Sequence, residues 1–126
     1  MISLNNVFFT RQDGGLKRQI INDLSLTILP AAHIALLGDS GSGKTTLLNL
    51  LAGLLSPDAG TITVNEQKIS ELSANELALY RRKIGIIFQH YQLLSPLNVK
   101  DNICFQARLN GLSPSDDEVN TMAKKL

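Results

Sequence analysis

A glycine-rich run in the first half of the chain has the residue types and spacing to bind phosphate. Residues 38–45 read Gly-Asp-Ser-Gly-Ser-Gly-Lys-Thr and match G-x-x-x-x-G-K-[ST], the pattern of a phosphate-binding loop, or P-loop. Glycines allow a tight turn and a close approach of backbone N–H groups to phosphate oxygens. Lys44 adds a positive charge for the terminal phosphates, and the Thr45 hydroxyl is placed to ligate Mg²⁺. The pattern favours a nucleotide phosphate site over a chance glycine-rich turn.

The sequence on either side of this run predicts the two elements that must position it. Residues 33–37 (His-Ile-Ala-Leu-Leu) are short and apolar, which is typical of a buried strand. Residues 46–54 place four leucines on one face of a helix that should start near Gly43. The first turn of a helix has N–H groups without internal acceptors, and its dipole favours negative charge there. Strand, loop and helix together predict one anion site.

Composition limits the class of protein. The chain has 126 residues, of which 44% are hydrophobic and 18% charged, so it can build one domain with a core. A net charge of +1 does not favour nucleic acid as a partner. No apolar stretch approaches the ~20 residues of a membrane span, and the N-terminus does not resemble a signal peptide. Cys104 is the single cysteine and should be a small core residue. We expect an intracellular protein.

Further strands and helices are predicted around the glycine loop. Residues 2–10 and 20–29 should form strands of an antiparallel pair, 61–64 a short strand, and 84–88 a strand buried on both faces. Capping signals predict three helices. They begin after Ser73, Asn98 and Ser115; the second should span residues 99–109, and the third carries Val119, Met122 and Leu126 on one face.

Two segments resemble motifs of the ATP-binding-cassette (ABC) ATPases. Residues 38–54 (GDSGSGKTTLLNLLAGL) look like the Walker A segment of that family. Residues 82–89 (RKIGIIFQ) look like its Q-loop, with Gln89 placed 45 positions after Lys44. The segments at 56–62 and 91–103 resemble the regions that follow each motif. Within the family, these segments are most similar in sequence to the branch that includes lipoprotein-releasing, macrolide-export and cell-division ATPases.

This resemblance implies an α/β fold and an ATP site. The fold would be a partial P-loop NTPase core with an N-terminal antiparallel β subdomain and the start of a helical subdomain. Lys44 and Gln89 would be the catalytic residues of this part, and Thr45 and Gln89 the Mg²⁺ contacts. The residues implied to take the phosphates of ATP are Gly38, Asp39, Ser40, Gly41, Ser42, Gly43, Lys44, Thr45 and Thr46.

The resemblance also implies partners. Two ATP-binding subunits of this family clamp two ATP molecules and drive a membrane-spanning permease, so the protein would be cytoplasmic and peripheral on the inner face of the cell membrane. The segment from Gln89 to Leu109 would face the permease. It holds several apolar or aromatic side chains close together, and packing beneath the loop as a satellite core is the alternative. These side chains are His90, Tyr91, Leu93, Leu94 and Leu97.

The chain departs from the family pattern at two points. The family usually has an aromatic residue after the first strand that stacks on adenine, and Arg11 stands at that position. A guanidinium can also stack on a base. The sequence has no signature segment, no Walker B carboxylates and no switch histidine, since neither His33 nor His90 has the matching context. Residues 1–126 are therefore expected to be the N-terminal part of a nucleotide-binding domain, truncated before the signature and Walker B.

The expected truncation limits both the reaction that this chain can perform and its functional class. Hydrolysis needs Mg²⁺ held by a carboxylate as well as by the P-loop hydroxyl, and a group that orients water, so the intact parent would hydrolyse ATP and this chain alone would not. Three other classes stay open: a non-transport ABC protein, another P-loop enzyme, and the inert product of a truncated gene. A GTPase is disfavoured because the sequence has no N-K-x-D motif. The transported substrate would be set mainly by the membrane partner, and the sequence does not distinguish import from export.

Overall fold

The apolar segments near the N-terminus form one antiparallel sheet. The structure is a computed structural model, and it describes residues 1–90 and 92–125. The strands lie in the order β2–β1–β3–β4. The predicted antiparallel pairing at the N-terminus is confirmed, although β1 ends three residues later than expected and β2 begins four residues earlier and ends one residue earlier. The strands are Ile2–Asp13 (β1), Leu16–Ile28 (β2), Ala59–Val64 (β3) and Gln67–Lys68 (β4).

Contacts within the chain define two units, Met1–Arg81 and Arg82–Leu126. The first unit contains the sheet and two helices, and the second unit contains two more. This combination agrees with the predicted α/β class. The helices are Lys44–Leu51 (α1), Ala74–Arg81 (α2), Val99–Leu109 (α3) and Asp116–Ala123 (α4), and a short 3-10 helix spans Ile69–Glu71.

A β-bulge in β1 lets two closely spaced apolar residues face the same core. Leu4 and Val7 pair with Leu26 and Leu24 of β2, so β1 has one extra residue between them. Asn6 adopts a positive φ of 46° at this point, and its N–H donates to the Ser25 hydroxyl at 2.9 Å. As a result Leu4 is 1% exposed and Val7 0% exposed, although three positions separate them.

Helix α2 packs against the end of α1 in the first unit. The Tyr80 hydroxyl donates to the Leu51 carbonyl at 2.7 Å, and the Arg81 guanidinium donates to the Gly53 carbonyl at 2.8 Å. These donors satisfy carbonyl groups near the end of α1, which has no further helical turn to do so. Burial raises the pKa of the Tyr80 phenol, which keeps that donor protonated. The C-terminal end of the helix that follows the glycine loop is thus held by α2.

The three predicted helix starts are confirmed. Ser73 and Ser115 each exchange two hydrogen bonds with a glutamate three residues later, which is the capping box. Asn98 accepts from the Asp101 N–H at 2.8 Å, and α3 has the predicted bounds. In the second unit Cys104 is 1% and Val119 7% exposed, so both are buried as expected. Met122 is 59% exposed, and Leu126 lies outside the described residues.

Two predicted strands are wrong. Residues 33–37 and 84–88 have no strand conformation in the structure. Neither segment has a ladder partner among the described residues, so the main-chain hydrogen bonds that define a strand are missing. Most of their apolar side chains are correspondingly exposed, with Leu37 at 88% and Ile87 at 98%, while Ile84 and Phe88 are half-buried.

Membrane-spanning helices were searched for throughout the described residues. None of the helices there is long and apolar enough to cross a bilayer.

Candidate phosphate-binding site

Glycines shape the loop at residues 38–43. Gly38, Gly41 and Gly43 have φ values of 153°, 78° and 95°, which L side chains rarely adopt. The Ser42 N–H donates to the Asp39 carbonyl at 3.2 Å and closes a turn inside the loop. A Cβ atom at Gly38 would lie 2.9 Å from the Ser42 hydroxyl oxygen. The loop therefore depends on glycine both for its backbone angles and for its tightness.

Lys44 turns back into the loop that precedes it. Its Nζ donates to the carbonyl oxygens of Gly38 and Asp39, each at 2.6 Å, and to the Ser42 hydroxyl at 3.2 Å. These neutral acceptors orient the ammonium group but leave its charge uncompensated. The positive charge consequently sits within the turn, where an anion bound to the loop would meet it.

The first turn of α1 offers N–H donors beside this charge. Gly43 is the N-cap and has no side chain to accept from the first-turn N–H groups. The first helical hydrogen bond runs from the Leu47 N–H to the Gly43 carbonyl at 2.8 Å. Thr45 is exposed and Thr46 half-buried on this turn. The helix start predicted near Gly43 is confirmed, and its dipole adds to the positive potential around Lys44.

Strand β2 supports the loop from the sheet side. A Cβ atom at Gly43 would lie 3.0 Å from Ile20 Cγ2 and 3.4 Å from the Ile20 carbonyl oxygen. Ile21, which is 8% exposed, approaches the same point. Glycine at position 43 therefore lets the end of the loop lie directly against β2. This contact fixes the start of α1 relative to the sheet.

Arg11 lies inside β1, in the exposed part of the hairpin, whereas the sequence placed it just after a first strand that ended at residue 10. Its cross-strand partner is Arg18 of β2, which sequence reasoning did not single out. The signal that could have found Arg18 is the strand register, which counts back from the Gly14-Gly15 turn. The register runs without a shift from Asp13 and Leu16, beside the turn, to Arg11 and Arg18, so this count reaches the pair directly.

Gln89 belongs to the second unit, where it is exposed in a bend. Its approach to the phosphate loop stays a prediction. Tyr91 lies outside the described residues. Leu93 is 72% and Leu94 38% exposed, so these two leucines do not form a satellite core beneath the loop. They line a groove of about 380 Å³ together with residues of α3.

The Asn102 side chain organises the loop that carries these leucines. Its Oδ1 accepts from the Leu94 N–H at 2.9 Å. Its Nδ2 lies within 3.2 Å of the carbonyl oxygens of Leu94, Leu97 and Asn98. One amide thus ties the end of the loop to the start of α3.

The candidate Mg²⁺ ligands are oxygen donors of the kind that this ion prefers. The exposed Thr45 hydroxyl fits an ion that retains most of its water ligands. Among the described residues there is no group of three or more His, Cys, Asp or Glu side chains that could hold a metal by themselves. His33 and His90 are both exposed.

Known sequences resemble the chain across most of its length. The profile of the family described as "ABC transporter" matches residues 21–126. An uncharacterised ABC transporter ATP-binding protein of Mycobacterium tuberculosis is 38% identical over 114 residues, which cover 90% of this chain and 46% of that protein. The methionine import ATP-binding protein MetN 1 of Enterococcus faecalis is 39% identical over 116 residues, covering 92% of this chain and 33% of that protein.

A solved structure resembles the fold as a whole. The dimeric structure of the bacterial ABC transporter cassette MJ0796 has a TM-score of 0.87 and 30% sequence identity, and the match covers 99% of this chain and 55% of the cassette. The same cassette in a post-hydrolysis state, bound to ADP and Pi, has the same TM-score at 29% identity. The chain thus spans about half the length of the cassette, and between a third and a half of the two curated relatives.

Proposed function

Because the chain belongs to the ABC transporter ATP-binding family, we propose that residues 1–126 are the N-terminal part of a nucleotide-binding domain and that residues 38–46 bind the phosphates of ATP. The observation that carries this proposal is the position of Lys44 Nζ, 2.6 Å from two loop carbonyls at the N-terminus of α1. A triphosphate would draw the ammonium group to its β- and γ-phosphate oxygens. The N–H groups of the loop and of the first helical turn would donate to the remaining phosphate oxygens.

Two further residues complete the proposed site. Thr45 would ligate Mg²⁺ through its hydroxyl, and Gln89 would contact Mg²⁺ and the γ-phosphate. The ion would bridge phosphate oxygens and neutralise part of their charge. Lys44 and Gln89 are the proposed catalytic residues of this part of the domain.

Hydrolysis is proposed for the longer parent and not for this chain. The ABC cassette that it resembles was solved with ADP and Pi, which are the products of ATP hydrolysis. The present sequence has no Asp-Glu pair at the end of an apolar strand to serve as a Walker B motif. Phosphate release by the 126-residue chain that requires Mg²⁺ and disappears in Lys44→Ala would contradict this part of the proposal.

The proposed partners are a membrane-spanning permease and a second ATP-binding subunit. The dimeric state of the similar cassette supports the second partner. The exposed leucines at positions 93 and 94, held in place by the Asn102 amide, support the first. The protein would then act in the cytoplasm, on the inner face of the cell membrane. Cysteines placed at Leu93 and Leu94 in the longer parent should crosslink to the permease.

The phosphate site itself is tested by titrating ATP into the wild-type chain and the Lys44→Ala variant by calorimetry. Loss of a charge-assisted contact should weaken ATP about tenfold or more. Lys83→Ala, which removes an exposed lysine from the second unit, is the matched control and should leave the affinity unchanged. Equal ATP affinities for wild type and Lys44→Ala would remove residues 38–46 from nucleotide binding.

A further inference from the structure

Three amide side chains form a row on one face of helix α3. Asn102, Gln106 and Asn110 follow one another at intervals of four residues, and Asn110 is the C-cap of the helix. Side chains at this spacing lie above one another along a helix. Asparagine is a weaker helix former than leucine or glutamine, so α3 itself gains little from the row. The contacts of the row lie instead in the chain on either side of Gln89.

Two of these amides bind the chain that precedes Gln89. The Gln106 Nε2 donates to the Arg82 carbonyl at 2.7 Å and to the Ile84 carbonyl at 3.4 Å. The Asn110 Nδ2 donates to the same Arg82 carbonyl at 2.8 Å. This stretch of chain has no ladder partner among the described residues. The two amides therefore donate to carbonyl groups that no strand of the described chain reaches.

The third amide binds the chain that follows Gln89. The Asn102 Oδ1 accepts from the Leu94 N–H at 2.9 Å, and the Asn102 Nδ2 lies 3.2 Å from the Leu94 carbonyl oxygen. One side chain thus holds both main-chain polar groups of one residue. Asn102 is half-buried, whereas Gln106 and Asn110 are exposed. A single helix consequently holds the chain on both sides of Gln89.

The spacing of these contacts limits the position of Gln89. Ile84 and Leu94 are ten positions apart, and Gln89 is five positions from each. The side chains that hold them, Gln106 and Asn102, are four residues apart on α3, or about 6 Å along its axis. A segment of about ten residues could span about 33 Å if extended. Because its ends are held much closer than that, the segment must turn back on itself with Gln89 near its midpoint. Releasing either end would let Gln89 sample a larger volume.

The hydrogen-bonding pattern requires amides at these positions. A carboxylate has no proton to donate, and it would place negative charge beside the carbonyl oxygens of Arg82 and Ile84. An ammonium or guanidinium group could donate to those oxygens but could not accept from the Leu94 N–H. An amide is neutral and carries both donors and an acceptor. The row therefore makes a set of contacts that charged side chains of one kind could not make at all three positions.

We infer that Asn102, Gln106 and Asn110 are positioning residues for Gln89, because they fix both ends of the segment that presents its side chain to Mg²⁺ and the γ-phosphate. The inference rests on the role proposed for Gln89 in ATP binding. A positioning residue acts only through the residue that it positions. Its loss should therefore lower the preference for ATP over ADP, which lacks the γ-phosphate, and should do so only while Gln89 is present.

Calorimetry with two nucleotides measures this preference. ATP and ADP, each with Mg²⁺, are titrated into the wild-type chain, Gln89→Ala, Gln106→Glu and the double variant. We expect Gln89→Ala to reduce the ratio of the two affinities about tenfold, because it removes a contact with a charged group. Gln106→Glu should reduce the ratio about fivefold and leave the ADP affinity within about twofold. The double variant should lose no more than Gln89→Ala alone, since both changes act through one contact.

Two further variants separate positioning from general polarity. Gln106→Lys keeps a donor at this position and should retain the wild-type ratio within about twofold. Asn120→Asp makes the same amide-to-carboxylate change at an exposed position of α4 and should leave the ratio unchanged. Far-UV circular dichroism of each variant establishes that the helices are intact.

Backbone motion provides a measurement that needs no nucleotide. Nitrogen-15 relaxation gives order parameters, which are about 0.85 for rigid backbone and below about 0.6 for flexible backbone. Gln106→Glu and Asn102→Asp should each lower the order parameters of residues 86–89 by about 0.1 or more. The order parameters of β1, which the row does not contact, should stay the same in both variants.

Three results would overturn the inference. One is a Gln106→Glu variant that keeps the wild-type ratio while Gln89→Ala lowers it. Another is a double variant whose loss combines the two single losses in full, because the two residues would then act independently. The third is unchanged order parameters in both Gln106→Glu and Asn102→Asp. A wild-type ratio in Gln89→Ala would instead show that the role proposed for Gln89 is wrong, and the inference would fall with it.

Discussion

Apolar residues behave differently in two parts of this molecule. In the antiparallel sheet Leu4, Val7 and Ile62 are each 1% exposed or less. In the segments at residues 33–37 and 84–88, Leu37 is 88% and Ile87 98% exposed. The sheet residues belong to strands whose ladder partners lie in the described chain, whereas neither segment has such a partner there. Hydropathy alone therefore does not decide which of these residues is buried.

The difference shows what an apolar run needs before it becomes a strand. An antiparallel hairpin brings its own partner through a short turn, as Gly14 and Gly15 do for β1 and β2. A strand buried on both faces needs neighbours on each side, and these are usually distant in sequence. The exposed state of Leu37 and Ile87 supports the proposal that such neighbours belong to further parts of a longer domain.

The difference between the packed sheet and the exposed segments can be tested most directly by substituting a glycine. Gly60 has a φ of 86°, and a Cβ atom there would lie 2.2 Å from the Asn6 carbonyl oxygen. Gly60→Ala should therefore force β1 and β3 apart at the bulge and lower the free energy of unfolding by about 3 to 5 kcal/mol. Gly85→Ala is the matched control, because nothing lies within 4 Å of the added Cβ and the segment has no ladder to disturb.

Urea denaturation followed by circular dichroism measures both variants. Gly85→Ala should unfold within about 0.5 kcal/mol of wild type. Equal losses for the two variants would mean that residues 84–88 are as tightly packed as the sheet, and the comparison would not hold.

A side-chain truncation should have the next largest effect. Leu4 is 1% exposed in the sheet, so Leu4→Ala removes buried methyl groups and leaves a cavity. We expect a loss of about 2 to 4 kcal/mol in the free energy of unfolding. Ile87→Ala removes a similar number of apolar atoms from a side chain that is 98% exposed and should change stability by less than about 0.5 kcal/mol. A loss above about 2 kcal/mol for Ile87→Ala would show that this side chain is buried in solution.

The same difference between local and remote partners determines how much of the fold could be predicted from the sequence. The bounds of α3 and the starts of α2 and α4 were predictable because their capping residues are within three positions of the groups they bond. The β1–β2 hairpin was predictable because its turn is short. The bulge at Asn6 was not, since it depends on Ser25 and Gly60, which are remote in sequence.

The candidate site also has a part that could be predicted from local sequence and a part that could not. The phosphate loop is one continuous run, so its glycine conformations and its place before α1 followed from the motif. The contact of Gly43 with Ile20 is tertiary and could not be read from spacing, whereas the pairing of Arg11 with Arg18 follows from the register of a short hairpin. Gln89 lies in the other unit, and only its resemblance to a motif connects it with Lys44.

Local capping should contribute less than packing in the sheet. The Ser115 hydroxyl accepts from the Glu118 N–H and opens α4 without help from any strand. Ser115→Ala should destabilise the unit that contains α4 by about 1 kcal/mol. Hydrogen exchange resolved by residue measures this loss, with Thr121→Ala on the same helix as the control. A loss as large as that of Leu4→Ala would contradict the view that packing outweighs local signals.

The smallest expected effect is a pH dependence shared by the two capping boxes. Hydrogen bonds from Ser73 lower the pKa of Glu76 below its usual 4.5, the side-chain bond first and the backbone bond second. The bonds from Ser115 lower the pKa of Glu118 below 4.5 in the same way, with the backbone bond first. The unfolded chain therefore binds these protons at a higher pH than the folded chain does.

The direction of the pH effect follows from the lower pKa of both glutamates in the folded chain. The stabilising contribution of each glutamate is complete above pH 4.5 and is lost as the pH falls from 4.5 through the lower folded pKa. Unfolding midpoints in urea, measured between about pH 6 and pH 3, should fall less steeply for the Glu76→Gln, Glu118→Gln double variant than for wild type. Because both boxes are local, each single variant should remove part of the slope even though one box lies in the sheet-containing unit and the other does not. A slope that depends on Glu76 alone would mean that the sheet, and not the local sequence, determines whether a cap forms.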